Sequence, residues 1–548
     1  MNWLIGLLFI LIIIFLISNY NKKNRLAKLK KNFTRNWRKP KVESFNFHSI
    51  GKYFYNNQHK SKAWFIISDR TTSDLDINAV YQFIDRTSSK IGQQYLYFKL
   101  RTIQTVEQLK KFSAFSNLFL DNNNLRLKCQ ILLSNLNTDA SYDLEKLIND
   151  KTIEKPKNIK WVYALTIITI LAIALIFVHP LFLLTLIPIF AVNTVLHYKN
   201  KENITYYLDA VNQLNRSLTV SKELAKEDKI KSYFNDLSFI KKIDAINLKT
   251  KFIGFEKQIE SEFAALFWLL IELVKIQFNI EYIIFYSFID SITKEKNSIE
   301  NMFLFIGEID AAISTASLKA GENQFCTPNF TTKKQIETHG IYHPLIEDCI
   351  DNDLILNNKS LLLTGSNMSG KTTFIRTIAI NSILAQTLNI CFAKTHTAPF
   401  LKVHTSIRIT DNLIEDTSYY LQEVFTIKEL IEASKTEENC LFVLDEIFKG
   451  TNTIERISGG KSILTYLNQK NHIVLVSTHD IELTELLEKE KYELFHFSEH
   501  IENEELLFDH KLKRGKLKTR NAIKILELYN YPSEIIINAR KIEQENFG

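Results

Sequence analysis

The chain has 548 residues, with 68 lysines and arginines against 61 aspartates and glutamates and a formal net charge of +7 at pH 7. This length allows more than one hydrophobic core, so a large, helix-rich, multidomain protein is expected. The five cysteines are odd in number and show no Cys-x-x-Cys spacing, which argues against a disulfide framework and a zinc site. We therefore expect the folded domains to lie in a reducing compartment, as the bacterial cytoplasm is.

The N-terminus joins an apolar stretch to a basic one. Residues 3–18 are apolar throughout, and ten lysines and arginines follow between residues 22 and 41. A secretory signal has the reverse order, with positive charge first and a cleavage site of small residues last. We expect residues 1–20 to be a transmembrane anchor and residues 21–58 a basic juxtamembrane segment that contacts anionic lipid in the cytoplasm. A nucleic-acid-binding arm is the alternative interpretation of the basic run.

A second apolar region has the length of two membrane helices. Residues 161–198 are nearly free of charge, are interrupted at His179-Pro180 and have lysines on both sides. At about 1.5 Å per residue, ~18 residues on each side of the break span a bilayer core. The pattern predicts a transmembrane hairpin with both flanks in the cytoplasm, and a buried hairpin in a soluble core is the alternative.

Other helical patterns in the N-terminal half indicate soluble helices. Residues 264–289 are apolar but contain two glutamates and a lysine, which favours a packed soluble helix. Residues 74–101 and 308–314 have apolar side chains at three- and four-residue spacings. Ordinary amphipathic packing of helices is one explanation of these two segments.

A phosphate-binding loop follows the apolar run 360–364. Its sequence is Gly-Ser-Asn-Met-Ser-Gly-Lys-Thr, and a helical pattern follows at once. Such a loop turns successive backbone N–H groups towards a phosphate at a helix N-terminus. Lys371 is expected to reach the β- and γ-phosphate oxygens, and the Thr372 hydroxyl to bind Mg²⁺. The predicted nucleotide-binding residues are Gly365, Ser366, Asn367, Met368, Ser369, Gly370, Lys371, Thr372 and Thr373.

Two further apolar runs end in polar residues. The run 440–444 leads into Asp445 and Glu446, as expected of a buried parallel strand whose carboxyl end meets a ligand. Asp445 is expected to hold Mg²⁺, and Glu446 to polarise an attacking water. The run 473–477 leads to His479, which is placed to sense the γ-phosphate unless its role is structural. Together the three strand ends predict a Mg²⁺-dependent ATP hydrolase.

These motifs resemble those of the MutS family of DNA mismatch repair ATPases. The segments that carry the resemblance are His343-Pro344, Thr364–Thr373 with its Asn-Met pair, Ser418–Glu423, Asp445–Thr453 and Ser477–His479. The closing segment, residues 521–540, resembles the family's C-terminal helical dimerisation element. The resemblance covers residues 336–548 and implies an α/β P-loop ATPase domain of the ABC class that binds ATP and Mg²⁺ and forms a homodimer.

The resemblance also implies roles for individual residues. Ser418 matches the position that contacts the γ-phosphate bound by the partner subunit, although capping of its own helix is the alternative. His510 is also expected to bind the nucleotide. The expected catalytic residues are Lys371, Glu446, His479 and Ser418, the last acting in trans, and the expected Mg²⁺ ligands are Thr372 and Asp445.

A weaker resemblance extends upstream. Residues 74–101 look like the start of the MutS lever domain, and residues 308–330 look like its end. The predicted hairpin lies between them, where the family has its DNA clamp, and residues 1–60 are too few for the family's mismatch-reading domain with its Phe-x-Glu wedge. The expected domains are an anchor (1–20), a juxtamembrane segment (21–58), an all-α lever domain (59–335) interrupted by the hairpin (161–198), and an ATPase domain (336–548).

Two functions fit these expectations. The first is a multi-pass protein of the bacterial cytoplasmic membrane, with its lever and ATPase domains in the cytoplasm, whose ATP-driven dimerisation moves the lever and hence the membrane hairpin or an unknown protein partner. The second is a membrane-tethered DNA-binding protein of the mismatch repair or recombination type. The missing wedge and clamp favour the first, and the family resemblance favours the second. The net charge of +7 does not support DNA binding, because ten basic residues belong to the juxtamembrane run.

Overall fold

The computed structural model describes residues 2–56, 58–149, 159–250, 271–321, 324–366, 369–408, 419–448, 451–502, 505–517 and 522–547. The chain forms two compact units. Unit 1 contains residues 1–61, 85–98 and 114–321, and unit 2 contains residues 62–84, 99–113 and 322–548. This division differs from the predicted boundary at 335/336, because residues 62–84 and 99–113 cluster with the C-terminal part of the chain.

The described part of unit 1 is helical. Its α-helices are Asn2–Asn36, Phe47–Asn56, Asn123–Leu133, Lys146–Asn149, Ile159–Ile176, Leu186–Leu224, Asp228–Lys231, Phe239–Thr250, Ile280–Lys294 and Lys296–Gly321. Two more α-helices, Lys90–Arg101 and Val106–Asp121, have residues in both units. The 3-10 helices of the chain are Gln58–Lys62, Ser134–Leu136, Asp139–Glu145 and Pro180–Thr185.

A buried carboxylate joins distant parts of unit 1. Asp310 lies fully buried in the helix Lys296–Gly321, and its oxygens accept hydrogen bonds from the backbone N–H groups of Ser88 (2.7 Å) and Ser89 (2.8 Å). Burial raises the pKa of Asp310 to about 6. A Cβ atom at Gly92 would lie 2.1 Å from the same carboxylate, so the close approach of the two segments requires glycine.

The segment predicted to be a membrane hairpin, residues 161–198, is helical, but its helices have bounds that differ from the predicted ones. Among the described residues, two segments are long and apolar enough to cross a membrane, Ile159–Ile176 and Pro180–Lys199. Large apolar side chains at the turn are exposed, as Phe177 is at 91%. The second helix does not end at residue 198, because Leu186–Leu224 is one continuous helix. Membrane crossing itself stays a prediction.

The helix predicted over 264–289 is interrupted in its described part. Residues 251–270 lie outside the described residues, a helical segment covers 271–277, and a new helix begins at Ile280. Between them Asn279 has a left-handed backbone with φ 50°, which asparagine tolerates better than most residues. The Asn193 amide donates to the Gln277 carbonyl (2.8 Å) and accepts from the Asn279 amide (2.8 Å), so Asn193 links the two sides of the break.

Unit 2 contains the strands of the described chain. They are β1 (Phe65–Ile66), β2 (Thr102–Ile103), β3 (Asn329–Thr331), β4 (Gln335–Ile341), β5 (Asn352–Asn357), β6 (Ser360–Thr364), β7 (Thr395–Pro399), β8 (Lys402–Ser406), β9 (Cys440–Asp445), β10 (Ile473–Ser477), β11 (Tyr492–His496), β12 (Glu499–Glu502), β13 (Glu505–Phe508) and β14 (Lys513–Arg514). Its helices are Asp69–Asp74, Ile77–Ile84, Lys371–Leu388, Tyr419–Ser434, Thr453–Leu467, Glu482–Glu488, Ala522–Leu528 and Ser533–Phe547.

A six-stranded sheet forms the centre of unit 2. Its order is β14-β11-β6-β10-β9-β8, and all neighbouring strands are parallel except β14 against β11. A second sheet has the order β3-β7-β4-β5, and the pairs β1-β2 and β12-β13 are antiparallel. Every residue of β6 and β10 is buried, as their continuous apolar sequences predict. Because β6, β10 and β9 are adjacent and parallel, their carboxyl ends meet at one edge.

Two aspartates hold residues 62–84 within unit 2. The buried Asp74 carboxylate accepts hydrogen bonds from the Thr405 hydroxyl (2.6 Å) and from the backbone N–H of Ile407 (3.1 Å) and Arg408 (2.9 Å) at the end of β8. Asp76 forms an ion pair with the Arg408 guanidinium, at 2.7 and 2.5 Å. These contacts explain why the segment that resembles the start of the lever clusters with the sheet.

Candidate nucleotide site

The loop after β6 has the backbone conformation that its glycines permit. Gly365 and Gly370 have φ angles of 149° and 105°, which favour glycine. A Cβ atom at Gly365 would lie 2.9 Å from the Phe497 carbonyl oxygen, so this position also lacks space for a side chain. Ser369 donates from its hydroxyl to the Ser366 carbonyl (2.8 Å). Asn367 and Met368 lie outside the described residues.

Lys371 places a positive charge inside this loop. It is the first residue of the helix Lys371–Leu388, and its ammonium donates to the carbonyl oxygens of Gly365 (2.8 Å) and Ser366 (2.9 Å). The N-terminus of the helix adds the positive end of its dipole at the same place. The loop therefore has the electrostatic character of a phosphate site.

Asp445, the last residue of β9, is held from two sides. One oxygen accepts a hydrogen bond from the Thr372 hydroxyl (2.8 Å), and the other accepts from the Ser477 hydroxyl at the end of β10. The Thr372 and Asp445 oxygens are thus in contact, and hydroxyl and carboxylate oxygens are the ligands that Mg²⁺ takes in nucleotide sites. The residues fit the predicted Mg²⁺.

Glu446 and His479 lie side by side at this edge. Glu446 Oε1 is 3.2 Å from His479 Nε2, and the same nitrogen is 3.1 Å from Lys371 Nζ. Because one nitrogen cannot accept from Lys371 and donate to Glu446 at once, the protonation of His479 selects between the two bonds. Glu446 has φ 56°, and its N–H donates to the Ser477 carbonyl (2.8 Å), so its backbone is fixed in a turn.

Two residues for which the sequence predicts no role hold the backbone near Glu446 and His479. Glu423, in the helix Tyr419–Ser434, is fully buried, and its carboxylate accepts a hydrogen bond from the Phe448 N–H, two residues after Glu446. Arg456 binds Asp480, the residue after His479, with two hydrogen bonds of 2.9 and 2.7 Å. The sequence feature that could have indicated a role for Glu423 is its position in the MutS-like segment 418–423.

A cavity of about 300 Å³ lies beside the loop. Its walls include Tyr342, His343, Phe374, Phe497 and His510, with Gly370 and Thr373 on the loop side. Burial, and then the nearby Arg376 guanidinium, lower the pKa of His343 to about 4, so this ring is neutral at pH 7. His510 Nδ1 is 3.1 Å from the Ser369 carbonyl oxygen. Aromatic walls of this kind suit the flat base of a nucleotide.

The predicted site residues that the structure describes meet at one edge of the sheet. The loop and the start of its helix contribute Gly365, Ser366, Ser369, Gly370, Lys371 and Thr372. Beside them lie Asp445, Glu446 and His479, and the cavity is lined by Thr373 and His510. Ser418 lies outside the described residues. The role of each residue stays a prediction.

This edge, with its glycine loop, buried parallel strands and acidic strand end, defines a P-loop ATPase-type domain. The comparison with known proteins agrees, because residues 361–546 match the family MutS domain V. The DNA mismatch repair protein MutS of Staphylococcus epidermidis is 30% identical over 275 residues, which are 48% of this chain and 31% of that protein. The DNA mismatch repair protein MutS of Staphylococcus aureus (strain MRSA252) is 29% identical over 278 residues, 49% of this chain and 32% of that protein.

The predicted family resemblance is therefore confirmed. Residues 361–546 of the chain are thus similar to MutS domain V, and about half of the chain is similar to DNA mismatch repair proteins named MutS. The chain spans about a third of the length of the curated relatives that it matches.

Substitution of Glu423 tests its support of the Glu446 turn. In Glu423→Ala the Phe448 N–H loses its acceptor, so we expect kcat for ATP to fall about tenfold or more, with little change in KM. Glu423→Gln keeps an acceptor oxygen and should recover part of the rate. The control is Glu429→Ala on the same helix, where a side chain that is 66% exposed forms a surface ion pair with Arg70. An unchanged kcat in Glu423→Ala would show that the turn holds without the carboxylate.

Proposed function

We propose that the chain is a membrane-anchored MutS-like ATPase that binds and hydrolyses ATP as a dimer and couples hydrolysis to movement of its helical part. The observation that carries the proposal is the meeting of Lys371, the Thr372–Asp445 pair and the Glu446–His479 pair at the ends of three adjacent parallel strands. Few other activities need a loop lysine, a hydroxyl–carboxylate pair and a second carboxylate at one sheet edge.

Each of these side chains has a separate part in hydrolysis. Lys371 supplies charge to the β- and γ-phosphates in the ground state and the transition state alike. Thr372 and Asp445 would hold Mg²⁺, which would neutralise phosphate charge. Glu446 polarises the attacking water, and His479, 3.2 Å away, orients its carboxylate.

Substitutions at Lys371 and Glu446 separate binding from hydrolysis. Lys371→Ala removes the phosphate-binding charge, so we expect nucleotide binding or turnover to be lost. Glu446→Gln keeps that charge but loses the base, so ATP should bind and remain unhydrolysed, with turnover lowered on the order of 100-fold. The measurements are nucleotide affinity and phosphate release. The control is Lys359→Ala, a lysine just before β6 whose ion pair with Glu493 is partly exposed. Normal turnover in both site variants would reject the assignment.

The dimer proposal rests on the family resemblance and on the C-terminal helices. The helices Ala522–Leu528 and Ser533–Phe547 and the turn between them expose large apolar side chains, among them Tyr529 at 67% and Ile537 at 65%. Exposed apolar side chains that cluster on short helices are typical of a surface that another chain covers. In this dimer Ser418 acts on the γ-phosphate bound by the partner subunit.

Mixing two inactive variants tests the trans role of Ser418. Ser418→Arg subunits keep their own loop, and Lys371→Ala subunits keep their serine. If the serine acts in trans, a mixed dimer contains one complete site, so ATPase activity should return on mixing. If heterodimers form but remain as inactive as either parent, Ser418 does not act in trans.

The membrane proposal rests on charge and exposure. Two described segments are long and apolar enough to cross a bilayer, and seven of the ten residues of the basic run follow the predicted anchor within the single helix Asn2–Asn36. Positive charge flanks each proposed inner end, which supports placing residues 21–158 and 199–548 on the cytoplasmic side of a bacterial membrane. Membrane lipid and an unidentified protein are then the partners on which the helical part acts.

Cysteine labelling from outside intact cells tests this topology. The probes are His179→Cys, Lys60→Cys and Thr250→Cys in a variant without native cysteines. Only the turn at residue 179 lies outside in the proposed topology, so a membrane-impermeant thiol reagent should label His179→Cys alone. Labelling of all three after lysis is the control. Labelling of Lys60→Cys or Thr250→Cys in intact cells, with none at residue 179, would overturn the topology.

The relatives' names favour a second candidate function. Both are called DNA mismatch repair proteins, so this chain is alternatively a membrane-tethered DNA-binding protein. Titration against duplex and branched DNA at several salt concentrations distinguishes the two candidates. Binding to one DNA structure that survives physiological salt supports the second, whereas weak binding that salt abolishes supports the first.

A further inference from the structure

Two of the five cysteines are direct neighbours in unit 2. Cys326 and Cys391 form an isolated antiparallel β-bridge, in which the Cys326 N–H donates to the Cys391 carbonyl (2.8 Å) and the Cys391 N–H donates to the Cys326 carbonyl (3.0 Å). Residues that exchange both bonds in this way have Cα atoms about 5.5 Å apart. That separation is within the range of about 4.4–6.8 Å found across disulfide bonds.

We propose that Cys326 and Cys391 are a redox modification site that reacts with low-molecular-weight disulfides and closes into an intramolecular disulfide bond. Residues directly opposite each other in an antiparallel bridge point their side chains to the same face. The two cysteine side chains therefore already lie next to one another in the folded chain.

The two thiols differ in the way that a stepwise reaction requires. Cys326 is partly exposed, whereas Cys391 is fully buried, and burial raises the pKa of the Cys391 thiol well above its usual value. Thiolate fraction and access decide which thiol attacks first. Cys326 is therefore the attacking thiol and Cys391 the resolving one.

The proposed thiol–disulfide exchange has two steps. The Cys326 thiolate attacks one sulfur of the small disulfide and releases one thiolate. The Cys391 thiol then loses its proton, attacks the Cys326 sulfur of the mixed disulfide and releases the second thiolate. Two protein thiols are oxidised to one disulfide, and the small disulfide is reduced to two thiols.

The bond would act next to the helix that begins with Lys371. The Cys391 thiol donates to the side-chain oxygen of Asn381 in that helix (3.5 Å), and the same oxygen accepts from the Phe392 N–H (2.7 Å). Oxidation removes the thiol proton and with it the first of these bonds. It also ties residue 326 covalently to the segment that follows the helix.

The test uses the full-length protein in detergent micelles with oxidised glutathione. After incubation, remaining thiols are alkylated under denaturing conditions and the digested chain is analysed by mass spectrometry. We expect a linked pair of peptides that contain Cys326 and Cys391, a loss of two alkylated thiols per chain and recovery of both on reduction. In Cys391→Ser, a glutathione adduct should remain on Cys326, because no thiol displaces it.

Cys349 provides the control. It is partly exposed and has no cysteine partner among the described residues, so Cys349→Ser should give the same linked peptides as the wild type. Alkylation of both Cys326 and Cys391 in the treated wild type, while Cys349 carries glutathione, would overturn the proposal. A stable glutathione adduct on wild-type Cys326, or a disulfide between two chains, would overturn it as well.

Discussion

The two hydrogen bonds to the Asp445 carboxylate hold the candidate site together. One comes from Thr372, the second residue of the loop's helix, and the other from Ser477, at the end of the neighbouring strand β10. A carboxylate at the end of a buried strand needs such partners, because an uncompensated charge is costly to bury. Its bonds in turn fix the loop, β9 and β10 at one edge, where Lys371 and His479 then meet. The oxygen pair that stabilises the edge is also the pair that fits a divalent cation.

The turn after β9 departs from ordinary backbone geometry. Glu446 and Phe448 have φ angles of 56° and 59°, which cost free energy for residues other than glycine. The Ser477 carbonyl binds the Glu446 N–H, and the buried Glu423 carboxylate binds the Phe448 N–H. Strain of this kind persists where surrounding contacts over-determine the backbone, and here the result is a Glu446 carboxylate that points to His479. The geometry thus ties the helix Tyr419–Ser434 to the proposed base.

The site was predictable from the sequence because its main residues lie at the ends of apolar runs. Parallel strands bring such ends together, so Lys371, Asp445 and His479 could be placed at one edge before the structure was known. Glu423 was not predictable in its role, since its contact with Phe448 joins residues that no periodicity relates. The membership of residues 62–84 in unit 2 was missed for the same reason, because Asp74 binds residues 405–408 across most of the chain. The break at Asn279 depends on a contact with Asn193, which a hydropathy pattern does not contain.

In the function that we propose, the Thr372–Asp445 pair makes ATP binding depend on Mg²⁺. The most direct measurement is the affinity of the purified chain for ATP with and without Mg²⁺, for the wild type and for Asp445→Asn. The asparagine keeps an oxygen that accepts a hydrogen bond from Thr372 but loses the negative charge. We expect Mg²⁺ to strengthen ATP binding by the wild type and to give little gain in the variant. An equal gain from Mg²⁺ in both proteins would contradict the account.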